Sequence, residues 1–257
     1  MINLFAAGSP QTLVLLAARV GGLVLVAPVF STRAIPTAVK TGLIILLTAL
    51  LQPMALAQAG APEITPATIV GEMLVGFGLG IGAAFLVGAA GVAGDLTGTQ
   101  IGLSGAAVFD PVNNMSENVL GQFGTLFAVT LLLAVDAHLV MIDALARSVR
   151  LIPVGSALHA DGLRTLVRSA GVLFALGLQF ASPVIAAVLV ANTAMAILSR
   201  AAPQLNILSV VFPVQIGFGL VALAASIPIV AAFYRGWSGV YTTTMNHVLA
   251  AFARGAS

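Results

Sequence analysis

The sequence contains no cysteine, which excludes disulfide bonds and thiolate chemistry. Charge is also scarce, because only 7% of the 257 residues are Asp, Glu, Lys or Arg. A soluble domain carries about 25% charged residues. Ten cations against eight anions leave a net charge of +2, a surplus too small to indicate a nucleic-acid partner. Low charge therefore argues against an ordinary soluble domain.

The sequence also lacks recognisable groups of catalytic residues. The histidines His138, His159 and His247 lie far apart and lack the spacing of metal ligands. No serine lies in a nucleophile elbow, and the glycines between positions 71 and 105 do not precede the lysine of a phosphate-binding loop. The sequence predicts a protein that is not an enzyme, without a catalytic residue, a metal site or a cofactor.

Apolar residues are correspondingly abundant. They make up 60% of the chain, and the mean hydropathy is +1.11. The apolar runs are continuous, whereas a membrane β-barrel shows short alternating segments. The first charge, Arg19, already lies inside an apolar run, so we expect no cleaved signal peptide and a retained N-terminus. We predict an all-α, polytopic helical membrane protein with about six long helical segments in kinked hairpins, forming a single domain over residues 1–257.

This interpretation of the fold depends most on the stretch Ser182–Tyr234. Two apolar runs, Gly171–Leu198 and Ile207–Phe233, flank a short polar segment, Ser199–Asn206. Each run would be roughly 40 Å long as a helix, more than the ~30 Å of a hydrocarbon core. Prolines inside them remove backbone hydrogen bonds that lipid cannot replace. The stretch is interpreted as a bent hairpin that packs against other helices. The prolines concerned are Pro183, Pro213 and Pro228.

Four earlier runs precede this hairpin, at Thr12–Phe30, Thr41–Ala57, Ala67–Gly94 and Phe123–Leu145. A basic connection spans Arg147–Arg168, and a short tail is expected from Arg235. Cytoplasmic loops carry excess Lys and Arg, yet six alternating crossings place the first basic loop and this connection on opposite sides. A re-entrant third run, or runs buried in protein, would resolve the conflict, and the orientation stays open.

Glycine is concentrated in one region, with eleven between positions 71 and 105. Gly94, Gly98 and Gly102 stand four apart, so they share one helix face. Small residues at this spacing let helix backbones approach closely in membranes. The face could pack within the chain or against partner subunits, and both alternatives stay open.

Ionisable residues inside the apolar runs have two interpretations. Charge at bilayer depth costs at least about 2.5 kcal/mol, so such residues face protein or water. Glu72, Asp95 and Asp136 could form a proton relay. Alternatively, these charges are neutralised within the protein, for example by an ion pair between Arg19 and Glu72.

The segment from Ala106 to Asn118 is too apolar for a solvated linker. It could seal a lumen, enter a subunit interface or serve as a plain connection. Its apolar and turn residues are Val108, Phe109, Asp110, Pro111, Asn113, Asn114 and Met115.

Taken in order, the residues resemble the FliR/SctT family of flagellar and type III secretion export-gate proteins over nearly the whole chain. The segments that carry this resemblance are Arg19, Pro28-Val29-Phe30, Arg33, Ile35-Pro36, Val39-Lys40, Glu72 with Gly76 and Gly80, Gly94-Asp95, Gly98, Gln100-Ile101-Gly102, Asp110-Pro111, Asp136-Ala137-His138, Ser148, Ile152-Pro153 and Arg200-Ala201-Ala202-Pro203-Gln204-Leu205-Asn206. The last of these is the most distinctive. A flagellar member is favoured over an injectisome member.

The resemblance implies a subunit of a supercoiled, hetero-oligomeric gate that assembles with FliP, FliQ and FlhB-type subunits. Such a gate lies in the flagellar basal body at the bacterial inner membrane, contacts lipid and passes unfolded export substrates. The resemblance also implies that residues 106–118 plug the lumen. Packing and assembly are expected to involve Arg19, Glu72, Gly94, Gly98, Gly102, Arg200, Pro203, Gln204 and Asn206. Two alternatives remain, a proton-coupled transporter of small solutes and a membrane scaffold without a conduit.

Overall fold

The computed structural model describes residues 9–32, 34–57, 62–100, 119–156, 160–201 and 212–253, and it is helical nearly throughout these ranges. The helices are α1 (Ser9–Val26), α2 (Pro28–Ser31), α3 (Thr37–Leu56), α4 (Pro66–Gln100), α5 (Val119–Ala134), α6 (Ala137–Leu151), α7 (Ala160–Ala201) and α8 (Phe212–Ala253). The all-α prediction is confirmed. Within the described ranges, three helices are long and apolar enough to cross a membrane, or four if α5 and α6 form one broken span.

Local sequence explains where several helices begin and end. Pro66 opens α4, and Thr65 and Thr68 cap its first turn, with each backbone N–H donating to the other residue's hydroxyl at 2.9 and 3.2 Å. Lys40 Nζ donates to the carbonyl of Ser31 at 2.8 Å, which satisfies the end of α2. Asp136 has a φ of 54° and separates α5 from α6.

Two predicted boundaries were wrong. The expected tail after Arg235 is helical and continues α8 to Ala253, because the buried residues Trp237, Tyr241 and Met245 recur with the helical period. The expected basic connection lies largely in helices, with its first two arginines in α6 and its last two in α7. Arginine has a high helix propensity, so these charges do not interrupt a helix.

Prolines do not end the helices that contain them. Helix α3 continues through Pro53, α7 through Pro183 and α8 through Pro228. Each proline lacks the N–H that would bond to the carbonyl four residues earlier. A bend of the hairpin at Pro183 and Pro228, which the sequence predicts, stays a prediction.

The chain divides into two compact units. The first comprises Met1–Phe85, Leu132–Leu173 and Trp237–Ser257, and the second comprises Leu86–Leu131 and Phe174–Gly236. Buried side chains of α1, α3, α6 and the end of α8 form the core of the first unit, among them Leu16, Leu23, Leu51, Leu145 and Tyr241. In the second unit, Leu120 of α5 is buried against Leu223 of α8. The single domain over residues 1–257 stays a prediction.

Candidate functional site

A buried ion pair lies in the first unit, between α1 and α4. Arg19 is fully buried and Glu72 is 3% exposed. Arg19 Nε donates to Glu72 Oε2 at 2.5 Å, and Nη2 donates to Oε1 at 3.0 Å. This is the bidentate geometry in which a guanidinium and a carboxylate bind most strongly. The alternative in which Arg19 pairs with Glu72 is therefore the one that the structure forms.

The chain that ends α6 supplies the other partners of this pair. Arg19 Nη1 donates to the carbonyl of Ile152 at 3.1 Å and to Ser148 Oγ at 3.4 Å. Ser148 Oγ itself donates to the carbonyl of Leu145 at 2.7 Å, which orients its lone pairs for the arginine. The backbone N–H of Gly155 donates to Glu72 Oε1 at 2.8 Å. We call Arg19, Glu72, Ser148, Ile152 and Gly155 the Arg19 cluster.

Glycines beside the Arg19 cluster allow α1 and α4 to approach closely. A Cβ at Gly76 would lie 2.9 Å from the backbone nitrogen of Leu23 and would also overlap the carbonyl of Arg19. A Cβ at Gly22 would lie 2.5 Å from the carbonyl of Met73, and one at Gly80 would lie 2.9 Å from the nitrogen of Ala27. This contact of small residues, familiar from membrane helices, holds Glu72 within reach of Arg19.

The geometry suits fixing helices more than moving protons. The two oxygens of Glu72 accept three hydrogen bonds, and two of these bonds come from the guanidinium of Arg19. Removing one member of a buried ion pair costs about 3–5 kcal/mol, because the other charge is left uncompensated. The Arg19 cluster therefore ties α1, α4 and the segment after α6 to one another.

A second polar contact fastens α8 to α4 within the same unit. The hydroxyl of Tyr241, a fully buried residue, donates to the carbonyl of Leu79 at 2.5 Å. Trp237 stacks on the Tyr241 ring at a centroid distance of 4.7 Å. Two large aromatic side chains thus hold the last part of α8, which sequence reasoning had assigned to a tail.

The glycine face predicted from Gly94 packs within the chain at that residue. In the second unit, a Cβ at Gly94 would lie 2.7 Å from the carbonyl carbon of Leu120 and 2.8 Å from Gly121 Cα. A Cβ at Gly124 would lie 2.5 Å from the carbonyl of Ala90. Helices α4 and α5 are therefore in backbone contact here.

The structure describes only some of the remaining residues that were predicted to have a function. Gly98 is buried in α4, and Arg200 is exposed in the last turn of α7. Asp136 is exposed at the start of α6. Outside the described residues lie Gly102, Pro203, Gln204, Asn206 and the whole predicted plug, which comprises Val108, Phe109, Asp110, Pro111, Asn113, Asn114 and Met115. Their proposed roles stay predictions.

Ser148 and Ile152 were recognised in the sequence only through the family resemblance, and their contact with Arg19 was not predicted. Gly155 was not singled out, because a glycine that contributes a backbone N–H has no distinctive pattern. The contact at Gly22 was also missed. The four-residue spacing of Gly76 and Gly80, one turn after Glu72, was the sequence pattern that could have indicated a close helix contact here.

Comparison with known proteins gives consistent matches. The family described as "Bacterial export proteins, family 1" matches residues 11–238. A flagellar biosynthetic protein FliR from Pectobacterium carotovorum subsp. carotovorum is 35% identical over 219 residues, 84% of each chain. FliR from Escherichia coli (strain K12) is 32% identical over the same share of each chain. FliR from Bacillus subtilis (strain 168) is 29% identical over 70% of this chain and 71% of its own.

Proposed function

This chain belongs to the family of bacterial export proteins, family 1, and we propose that it is a non-enzymatic subunit of the gate for unfolded flagellar export substrates. Its relatives and its long apolar helices identify it as a membrane-embedded component of the flagellar export apparatus. In the proposal, it assembles with FliP and FliQ, meets an FlhB-type subunit and lies in the bacterial inner membrane.

The match to FliR proteins over most of the chain carries this proposal. The exposed apolar surface supports it, since several described helices bury little of their own surface within the chain. Ile45 and Leu50 of α3 are 64% and 65% exposed, and Val221 of α8 is 67% exposed. Such surfaces must be covered by lipid or by other subunits.

The Arg19 cluster supports a rigid structural role in this gate. A subunit that lines a passage for other proteins must keep its shape while substrates move past it. Arg19 and Glu72 bind each other in a buried site that also holds Ser148 and Gly155. The proposal assigns this cluster to holding the first unit together rather than to contacting substrate.

The transporter alternative gains no support from the same residues. A proton relay needs an acid that can gain and lose a proton along a hydrated path. Glu72 instead accepts three hydrogen bonds beside the Arg19 guanidinium. Both oxygens of this carboxylate are thus engaged in fixed contacts within a buried site.

Extraction from the membrane tests the proposal directly. When this chain is produced with FliP and FliQ and solubilised in mild detergent, we expect it to elute in one large complex that contains all three. The measurement is the mass of the complex and its subunit composition. A matched sample lacking FliP and FliQ should give aggregated or degraded protein. A well-ordered, solitary chain that still supports motility would contradict the proposal.

Deletion of residues 108–115 tests the proposed plug. The deletion should leave the yield of the complex unchanged and raise ion leakage through it, because the proposal assigns the closing of the passage to this segment. Conductance of the reconstituted complex in planar bilayers measures the effect. Replacing the same residues by a glycine and serine linker of equal length separates loss of the side chains from shortening of the loop. Unchanged conductance in both variants would refute the plug.

A further inference from the structure

An open apolar groove runs along the second unit, between α4, α5 and α8. Small residues form part of its lining, with Ala90, Ala93 and Gly94 from α4 and Gly124 from α5. Larger side chains from α5 and α8 form the remainder, and two of them, Phe123 and Ile227, are 45% and 36% exposed. The groove thus opens to the outside of the chain along an apolar edge.

The dimensions of the groove fit a single hydrocarbon chain. Along α8 the lining extends from Leu223 to Tyr234, a rise of about 16 Å. That length corresponds to one leaflet, half of a hydrocarbon core of about 30 Å. At the Gly94 end, α4 and α5 are in backbone contact and Leu120 of α5 packs against Leu223 of α8, so the three helices meet there. A single flexible chain fits an apolar groove of this length.

The two ends of the groove differ in charge. Arg235, which is exposed, follows Tyr234 at one end. At the other end Asp95 follows Gly94, and its carboxylate lies against Gly121. An anionic group is attracted to the Arg235 end, whereas the lining at the Gly94 end, which includes Leu120 and Leu223, is apolar. A ligand with an apolar chain and a negative head would thus bind in one orientation.

An unpaired hydroxyl lies at the Arg235 end. Tyr234 lines the groove, is 1% exposed and has no hydrogen-bond partner for its hydroxyl among the described residues. A buried hydroxyl without a partner is unfavourable, so a group that supplied an acceptor or donor there would be stabilised. A turn of the side chain toward the groove it already lines would offer this hydroxyl to an ester carbonyl of a lipid.

We propose that this groove binds one acyl chain of an anionic phospholipid, with the phosphate at Arg235 and the chain end toward Gly94. Two of the helices that line it, α4 and α8, are long and apolar enough to cross a membrane, so phospholipid is available to the site. The attraction of a cation to anionic lipid adds to the burial of the apolar chain. The inference concerns lipid binding and is independent of the export activity.

Photolabelling tests the site in the full-length protein as it is extracted from membranes in mild detergent. The probe is phosphatidylglycerol with a diazirine at the end of one acyl chain. After irradiation, mass spectrometry should find the label on peptides that contain Leu120 or Leu223, at the chain-end side of the groove. Labelling that falls only outside the groove would overturn the proposal.

Filling the groove should block the label. Val230→Trp places a large side chain in the groove and should lower labelling at least fivefold, and Ile227→Trp is a second filling variant should the first fail to fold. Ile229→Trp is the matched control, because Ile229 is 58% exposed on the same helix and does not line the groove. Labelling equal to the native level in both filling variants would refute the site.

The charge at Arg235 gives an independent test. Arg235→Gln should lower labelling by about fivefold, the effect expected for one cation beside an anionic headgroup. Arg168→Gln removes another exposed arginine and should leave labelling unchanged.

The competing occupant of the groove is a partner protein. A photoreactive amino acid at position 227 should crosslink to lipid, and a crosslink to a protein subunit instead would overturn the proposal.

Discussion

Glu72→Gln should destabilise this protein more than any other single replacement of an acidic residue in the described part of the chain. The substitution leaves the fully buried Arg19 without its counter-charge, which costs about 3–5 kcal/mol. We expect the apparent melting temperature in detergent to fall by about 10 °C, with a matching loss of complex yield. Thermal unfolding followed by intrinsic Trp237 fluorescence measures the change.

An exposed ion pair provides the control for this experiment. Arg147 binds Asp143 one turn earlier on α6, with side chains that are 37% and 55% exposed. Exposed pairs contribute about 0–1 kcal/mol, so Asp143→Asn should leave the melting temperature nearly unchanged. If Glu72→Gln were as mild as Asp143→Asn, the Arg19 cluster would have no structural role.

A double variant distinguishes the pair from its separate charges. Arg19→Met combined with Glu72→Met removes both charges and should cost less than the sum of the single variants, because neither leaves an unpaired charge behind. The double variant should still be less stable than the native protein. Ile152 and Gly155 each lose a hydrogen-bond partner in it.

Gly76→Ala should also destabilise the protein, through a different mechanism. The added Cβ would overlap the carbonyl of Arg19 and lie 2.9 Å from the nitrogen of Leu23, and both are backbone atoms that cannot rotate away. Overpacking of this kind costs about 1–3 kcal/mol, and the separation of α1 from α4 also weakens the bond between Arg19 and Glu72. Denaturant titration of the detergent-solubilised protein measures the loss.

Gly88→Ala is the matched control on the same helix. Gly88 is exposed, and no atom lies within 4 Å of the position of an added Cβ. Alanine is favoured over glycine in a helix by up to about 1 kcal/mol, so this variant should be equally stable or slightly more stable. Combined with Glu72→Gln, Gly76→Ala should add less than its own effect, because both act on one contact. Full additivity would show that the glycine and the ion pair are independent.

Sequence composition predicted the class of protein because the physical constraint is simple. A chain with 7% charged residues cannot solvate its surface as a soluble domain does. The same constraint singled out Arg19 and Glu72, since a charge inside an apolar run needs a partner. Ordered short motifs then indicated the family, and the match over residues 11–238 confirms it.

The geometry that completes the site could not be predicted from the sequence. Gly155 contributes a backbone N–H from a residue with a φ of 83°, and that conformation depends on how the chain leaves α6. The extent of α8 was missed because Arg235 suggested an end, whereas packing of Trp237 and Tyr241 continues the helix. Tertiary contacts determine both the conformation of Gly155 and the extent of α8. Neither feature is visible in the sequence next to Glu72 or Arg235.

The partners of Arg19 also impose an order on biosynthesis. Ile152, whose carbonyl accepts from the guanidinium, leaves the ribosome 133 residues after Arg19. Its counter-charge, Glu72, follows Arg19 after only 53 residues, so the ion pair can form while the acceptor carbonyl of Ile152 is still to be made. The last hydrogen bonds of the cluster therefore wait for the end of α6, and a nascent chain halted between these two points would hold an arginine that is paired but incompletely bonded.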